Sequence, residues 1–348
     1  MDRLFIFFLI FLILPILQSC ATVNNPVLRK DPLIGKIINA QTGVQINFES
    51  LIKDISTHDV IYLSEKHDNP EHHNIQHKVI NSLIKNGLKP TLGFEFFSMD
   101  NTPDLLNFVD SGKVPHSKKT ETIIEKNLRK KLGWDTHSDQ MWKFYYDLLK
   151  IAKKEHLQVA GIDLPNTLKK RITRKGINGI TPIEKDLIFS TQLTDKAYKD
   201  YMYSIFKEVH CGMSHGKMQS RLYDTWVARN DKMALSINQL HKHLKGPVII
   251  IIGGGHTAYG LGVINRVTAI DKTIQQINID LKEIDLTPSR LSEYIQPLDL
   301  EGFEKVPPAD YLWFTQRVSY TDPCEEFKKS LQKMKKHSEN FKRNNPPK

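Results

Sequence analysis

The sequence predicts an α/β protein with a mostly parallel sheet flanked by helices and a helical subdomain or lid. Three observations carry this. Short apolar runs, "DVIYL", "TLGFEFF", "LQVAGIDLP" and "VIIIIGGG", alternate with longer helical stretches. That is the strand–crossover–strand order a parallel sheet needs. The run Val248–Ile252 is wholly apolar and β-branched, as in a strand covered on both faces. The stretch from about 165 to 243 reads as helical, which places the subdomain there.

The elements follow in order. Arg3 precedes "LFIFFLIFLILPIL", too short for a confident membrane span, and the stretch ends in "LQSC". A basic start, an apolar core and small residues before the cut describe a secretory signal over 1–19. The closing cysteine resembles a bacterial lipobox, which makes Cys20 the lipidated first residue of the mature chain. Ala21 and Thr22 follow it, not aspartate, which by analogy points to the outer membrane. Residues 20–45 are expected as a tether, 46–320 as the folded domain and 321–348 as a basic tail.

"DVIYL" is the first strand. Pro70 then suits a first helical position with Asp68 or Asn69 as cap, and Gly87 closes the helix. "TLGFEFF" is the second strand. Residues 102–155 are helical, with "DQMWKFYYDLLKIAKKEH" clearly amphipathic. "LQVAGIDLP" stops at Pro165 as the third strand. "TPIE" opens a helical region interrupted near "CGMSHG", and a helix from about Ser220 to His243 returns to the fourth strand. "IQQINIDL" and "YLWFTQ" are the last strands.

Of the 348 residues, 40% are hydrophobic and 25% charged, enough apolar mass for a sizeable core. Net charge is +10, and the segment from Glu325 to Lys348 holds eight Lys/Arg against three Glu. Such a run is by default a solvated helix. No basic groove interleaved with aromatics appears, so nucleic acid is not an expected partner. Apart from Cys20 there are two cysteines, Cys211 and Cys324. A bridge and two separate buried thiols both fit.

Polar residues gather at the strand ends. The first strand runs into Glu65 and His67, the second carries Glu95, the third ends at Asp163, and His256 follows the fourth. In an open α/β sheet the carboxyl edge is where ligands bind. A carboxylate inside "LGFEFF" is costly to bury without a partner. These placements predict one shared crevice. His72, His73 and His77 fit a solvated helix start, although His73 and His77 have the i, i+4 spacing of metal ligands.

The motifs "YLSEKHDNPEHHNIQHKVI", "LGFEFF", "VAGIDLP", "RNDKMALSI" and "GPVIIIIGGGHTAYGLGV", spanning roughly Asp59 to Arg266, resemble those of ChaN-like haem-binding lipoproteins. The resemblance implies an α/β fold with a helical subdomain. It also implies a homodimer with a stacked pair of haems between its subunits, tyrosine as iron ligand and histidine assisting. That family is similar to the TraB and Tiki proteins, a superfamily of metal-dependent hydrolases. Their late Gly-x-x-His fits Gly253 and His256, and their middle glutamate fits Glu95. Their early glycine is replaced here by Ser64, which adds a Cβ at an expected tight turn.

A phenolate can hold ferric haem iron. "AYKDYMYSIFKEVHCGMSHG" offers Tyr198, Tyr201, Tyr203 and His210, with His215, as haem-binding candidates, and the sequence leaves the ligand open among them. The leading reading is an outer-membrane lipoprotein that binds haem for haem or iron acquisition, partnered by a second copy and an outer-membrane haem receptor, without catalysis. The alternative is a metal-dependent hydrolase in which Glu65, His67, Glu95 and His256 hold a divalent ion and activate water. A third is a surface adhesion or scaffold lipoprotein that keeps the fold without the site.

Overall fold

The structure, a computed structural model, describes residues 30–111, 118–186, 188, 195–213, 216 and 218–344, with side chains through 333. The signal segment, Cys20, His215 and Lys217 lie outside the described residues. The chain opens with β1 (Ile37–Asn39), β2 (Val44–Ile46) and α1 (Phe48–Ile55). A first parallel unit follows: β3 (Val60–Glu65), α2 (Pro70–Lys85) and β4 (Thr91–Ser98). Helices α3 (Thr102–Asp110), α4 (Lys118–Lys131) and α5 (Asp139–Lys154) lead to β5 (Val159–Asp163). Next come α6 (Asn166–Lys175), α7 (Pro182–Lys185), α8 (Lys196–Val209) and α9 (Met218–His243). The remainder is β6 (Val248–Gly253), α10 (Val263–Ile270), β7 (Gln276–Glu283), α11 (Leu291–Tyr294), β8 (Tyr311–Thr315) and α12 (Pro323–Asn344).

The strands form one sheet in the order β2-β1-β8-β7-β3-β6-β4-β5. From β8 to β5 all pairs are parallel; β1 and β2 add an antiparallel edge. Strand alternation explains how the core divides. Ile249 and Ile251 of β6, with Ile61 and Leu63 of β3, pack into the cluster under α1, α2, α3 and α5. Val248, Ile250 and Ile252, with Val60 and Tyr62, face the other way onto Met233, Ala234 and Ile237 of α9 and Val263 and Val267 of α10. Both faces are therefore covered, which is why β6 carries no polar side chain.

Three features depart from the sequence expectations. The stretch expected as a tether through residue 45 contains the β1–β2 hairpin, whose alternation is too short to read. The "TPIE" signal does form a capping box, Thr181 with Glu184, but opens a helix of only four residues. Helix α9 is not confined to a lid: its C-terminal half covers the sheet, while α6, α8 and its N-terminal half stand over the carboxyl edge. Cys211 and Cys324 are joined in a disulfide, tying the end of α8 to the start of α12. Among the described residues no helix is long and apolar enough to cross a membrane.

Candidate functional site

The carboxyl edge of β3, β6, β4 and β7 opens into a crevice of about 700 Å³. Glu65, His67, Glu95 and His256 all line it, as their strand-end positions predict. The glycine triplet after β6 makes the gathering possible. A Cβ on Gly253 would lie 2.6 Å from His67 Cε1 and 3.3 Å from Glu95 Oε2; one on Gly254 would lie 3.3 Å from Asp280 Oδ1; one on Gly255 would lie 3.5 Å from Trp226. Each missing side chain is space that a site residue occupies.

Glu95 is the hub. Its Oε1 accepts from Arg229 Nη2 at 2.6 Å and lies 3.2 Å from His256 Nε2, and its Oε2 accepts from the Gly253 N–H at 2.7 Å. Burial opposes ionisation of Glu95, but His256, Arg229 and His67 outweigh it and hold the carboxyl well below the usual range. Of these three, only arginine is charged at every ordinary pH. Arg229 also donates through Nε to Asp163 at 3.0 Å, and Asp163 receives Lys169 Nζ at 2.6 Å. Burial pushes the His256 imidazole down although Glu95 pulls it up. Its Nδ1 lies 2.7 Å from Asn230 Oδ1, and its ring stacks on Trp226 at 4.1 Å between centroids.

Glu65 is buried behind the crevice. It accepts from Tyr145 Oη at 2.6 Å and from Gln76 Nε2, and its Oε1 lies 3.3 Å from His67 Nδ1. Burial lowers the His67 pKa, but the Glu65 hydrogen bond and the Glu95 charge more than offset it, so the net shift is upward. His72 and His73, expected in solvent, are buried. His72 Nδ1 accepts from the Lys66 N–H at 2.8 Å, with Nε2 2.9 Å from Thr315 Oγ1. His73 places one ring nitrogen 2.9 Å from the His67 carbonyl and the other 3.1 Å from Gln76 Oε1. They brace the loop that presents His67. Burial first, with neighbouring positive groups, takes His72 down to about 3, so it stays neutral.

Two expectations need correction. Ser64 is a strand residue, not a turn residue, and its buried hydroxyl bridges Thr257 Oγ1 and Asn278 Oδ1 at 2.7 Å each. The extra Cβ therefore meets no tight turn. The divalent-ion site expected at Glu65, His67, Glu95 and His256 is not what the structure builds. Among the described residues no three His, Cys, Asp or Glu side chains are grouped to hold an ion. The carboxylates are satisfied instead by Arg229, Tyr145, Gln76 and a backbone N–H.

Beyond Trp226 lies a second recess of about 290 Å³, lined by Tyr198, Tyr201, Met202, Ile205, Phe206 and Val209 of α8, with Gly255, Ala258 and Leu261. It separates the haem-binding candidates. Tyr198 is buried and its hydroxyl accepts from Trp226 Nε1 at 2.9 Å; burial pushes its pKa up. Tyr203 points away, edge-on to Tyr223. His210 caps α8 with Nδ1 2.7 Å from the Phe206 carbonyl, outside the recess. Tyr201 alone among them lines the recess with a hydroxyl that has no partner among the described residues. Burial, with smaller effects from Tyr259, Tyr198 and Glu208, pushes it up to about 12.

Arg229, Trp226 and Asp280 were missed from the sequence. Asp280 carried the same signal as Glu95, a carboxylate inside the apolar strand "INIDL". Arg229 had no such signal, because an arginine on an amphipathic helix reads as solvated.

A doubly covered parallel sheet, with a Glu/His/Arg crevice at its carboxyl edge and an aromatic recess under a helical cap, defines the class of protein. The chain belongs to the family described as haem-binding uptake, Tiki superfamily, ChaN, whose pattern matches residues 51–267. Among solved structures it is similar to ChaN of Campylobacter jejuni, described with cofacial haem binding: 19% identity, TM-score 0.57, over 80% of this chain and 95% of that one. That likeness is one of fold. Weaker likenesses are to an erythromycin esterase, EreC, in its open conformation (11% identity, TM-score 0.41, 73% and 78% covered). Another is to a Bacillus cereus protein (12%, 0.44, 79% and 98%). No functionally curated protein matches the sequence.

Proposed function

We propose that this chain binds haem in the recess of α8, with Tyr201 as the iron donor, and serves haem or iron acquisition. The observation that carries the reading is a Tyr201 hydroxyl without a partner among the described residues, in an otherwise apolar, aromatic recess, in a chain of the haem-binding uptake family. Bound haem would supply a ferric centre, a hard Lewis acid suited to phenolate. The residues present fit it. Met202, Ile205, Phe206 and Trp226 offer an apolar bed, and Lys282, without an ion pair among the described residues, lines the adjoining crevice, where a propionate would be met.

The recess is smaller than the roughly 300–1,000 Å³ that encloses an organic ligand, so one copy leaves much of a porphyrin uncovered. Val209, in the recess lining, exposes apolar surface. A second copy, closing over a haem pair, is the partner this proposal includes. The anchor through Cys20, the outer-membrane location and hand-off to a haem receptor belong to the same proposal and rest on the lipobox-like "LQSC". Titrating the full chain with haem while following absorbance and mass tests it. A Soret band that develops together with a dimer is expected; a haem-loaded monomer would refute the shared interface.

A further inference from the structure

Haem held in the recess leaves several groups of the crevice without a task. Glu65 and His67 form a carboxylate–imidazole pair. The buried carboxylate faces Nδ1, which assigns that nitrogen as the donor and leaves Nε2 with its lone pair. Nε2 has no partner among the described residues, and the half-exposed ring lines the crevice. Arg229 spends Nε and Nη2 on Asp163 and Glu95, which leaves Nη1 without a partner among the described residues. Asp280, inside β7, has neither a side-chain hydrogen bond nor an ion pair among the described residues, yet it lines the crevice against Gly254.

The charge pattern narrows the ligand. Arg229 is balanced by Glu95 and Asp163, Lys66 by Asp68 and Glu283, and Arg317 by Glu283, so of the crevice cations only Lys282 has no carboxylate partner among the described residues, too little for a phosphate. Among the described residues no Ser, Thr or Cys side chain lines the crevice, which favours water as the nucleophile. We propose that the crevice is a metal-free general-base site that hydrolyses a polar carboxylic ester or lactone, with His67 as base, Arg229 as oxyanion partner and Asp280 as acid. Two carboxyls of one crevice are set apart by their surroundings: burial pushes Asp280 up, while Glu95 is held low.

The step balances. Water oxygen attacks the acyl carbon as His67 Nε2 takes its proton, and the carbonyl electron pair moves onto the oxygen facing Arg229 Nη1. Collapse reforms the carbonyl and breaks the bond to the alkoxy oxygen, which takes the proton of Asp280. Acid and alcohol leave, and the proton on His67 returns through solvent to Asp280.

The test uses the full chain in detergent, with a chelator present, on 4-nitrophenyl acetate and on a polar ethyl ester such as ethyl lactate. Turnover of both is expected, and His67→Gln should lower kcat/KM for both by roughly a hundredfold or more, the usual worth of a positioned base. Asp280→Asn should slow the ethyl ester about tenfold more than the nitrophenyl ester, because nitrophenolate departs without a proton. A haem titration of each variant reports on the fold, since Tyr201 lies on the far side of Trp226. Rates equal in wild type and His67→Gln, activity removed by the chelator, or equal slowing of both esters by Asp280→Asn would overturn the proposal.

Discussion

Glu95→Gln is the substitution whose consequence the structure fixes most closely. The carboxylate accepts from Arg229 on one oxygen, which also lies 3.2 Å from His256 Nε2, and from the Gly253 N–H on the other. An amide of the same shape has one acceptor and one donor. In either flip its NH₂ faces a donor, the Gly253 N–H or the Arg229 guanidinium. Removing one partner of a buried ion pair costs roughly 3–5 kcal/mol. Because Arg229 keeps Asp163, the lower end applies, about 3 kcal/mol. Chemical unfolding at neutral pH should show that difference, and thermal unfolding a fall of roughly 6 °C or more. The effect should depend on pH. Glu95 has a folded pKa below its unfolded value, so its contribution is complete above the unfolded carboxylate value near ~4.3 and fades as pH falls through the folded one. Wild type and variant should therefore converge in acid. A neutral-pH difference under about 1 kcal/mol, the net worth of an ordinary hydrogen bond, would refute the reasoning.

Other outcomes follow from particular contacts. Gly253→Ala places a Cβ 2.6 Å from His67 Cε1, so the imidazole must leave Glu65, with a cost of about 1–3 kcal/mol; an unfolding midpoint equal to wild type would contradict this. The Cys211–Cys324 bridge closes a separation of 113 residues, for which chain entropy allows up to roughly 4–5 kcal/mol. Cys324→Ser should lower the denaturant midpoint, and added reductant should then have no further effect. Cys20→Ser should abolish lipid labelling and release the chain from membranes, because stable anchoring needs acyl chains; quantitative membrane fractionation of the variant would argue against the lipoprotein reading.

The parallel core of the sheet was legible because each buried strand is a compact β-branched run, and the crevice because polar residues interrupt or end those runs. Glu95 illustrates it: a carboxylate in "LGFEFF" demands a partner. The partner itself, Arg229, was hidden on a helix 134 residues away, where pattern says nothing about which side chain reaches inward. Position also concealed the buried state of His72 and His73, since a helix start looks solvated until β8 and α5 close over it. The metal expectation failed for a related reason. Counting Glu and His shows potential ligands, but an arginine supplied the compensating charge. Spacing at i, i+3 puts Tyr198 and Tyr201 on one face and Tyr203 elsewhere, but it cannot choose between the first two; Trp226, which occupies the Tyr198 hydroxyl, does.

The most direct test of the central claim is a haem titration of the full chain beside its Tyr201→Phe and Tyr203→Phe variants, followed by Soret position and affinity. Tyr201→Phe should lose the ferric phenolate signature and at least about tenfold in affinity, close to 1.4 kcal/mol. Tyr203→Phe should match wild type, because its side chain stands outside the recess. An unchanged Soret band and affinity in Tyr201→Phe would contradict the account and move the haem away from α8.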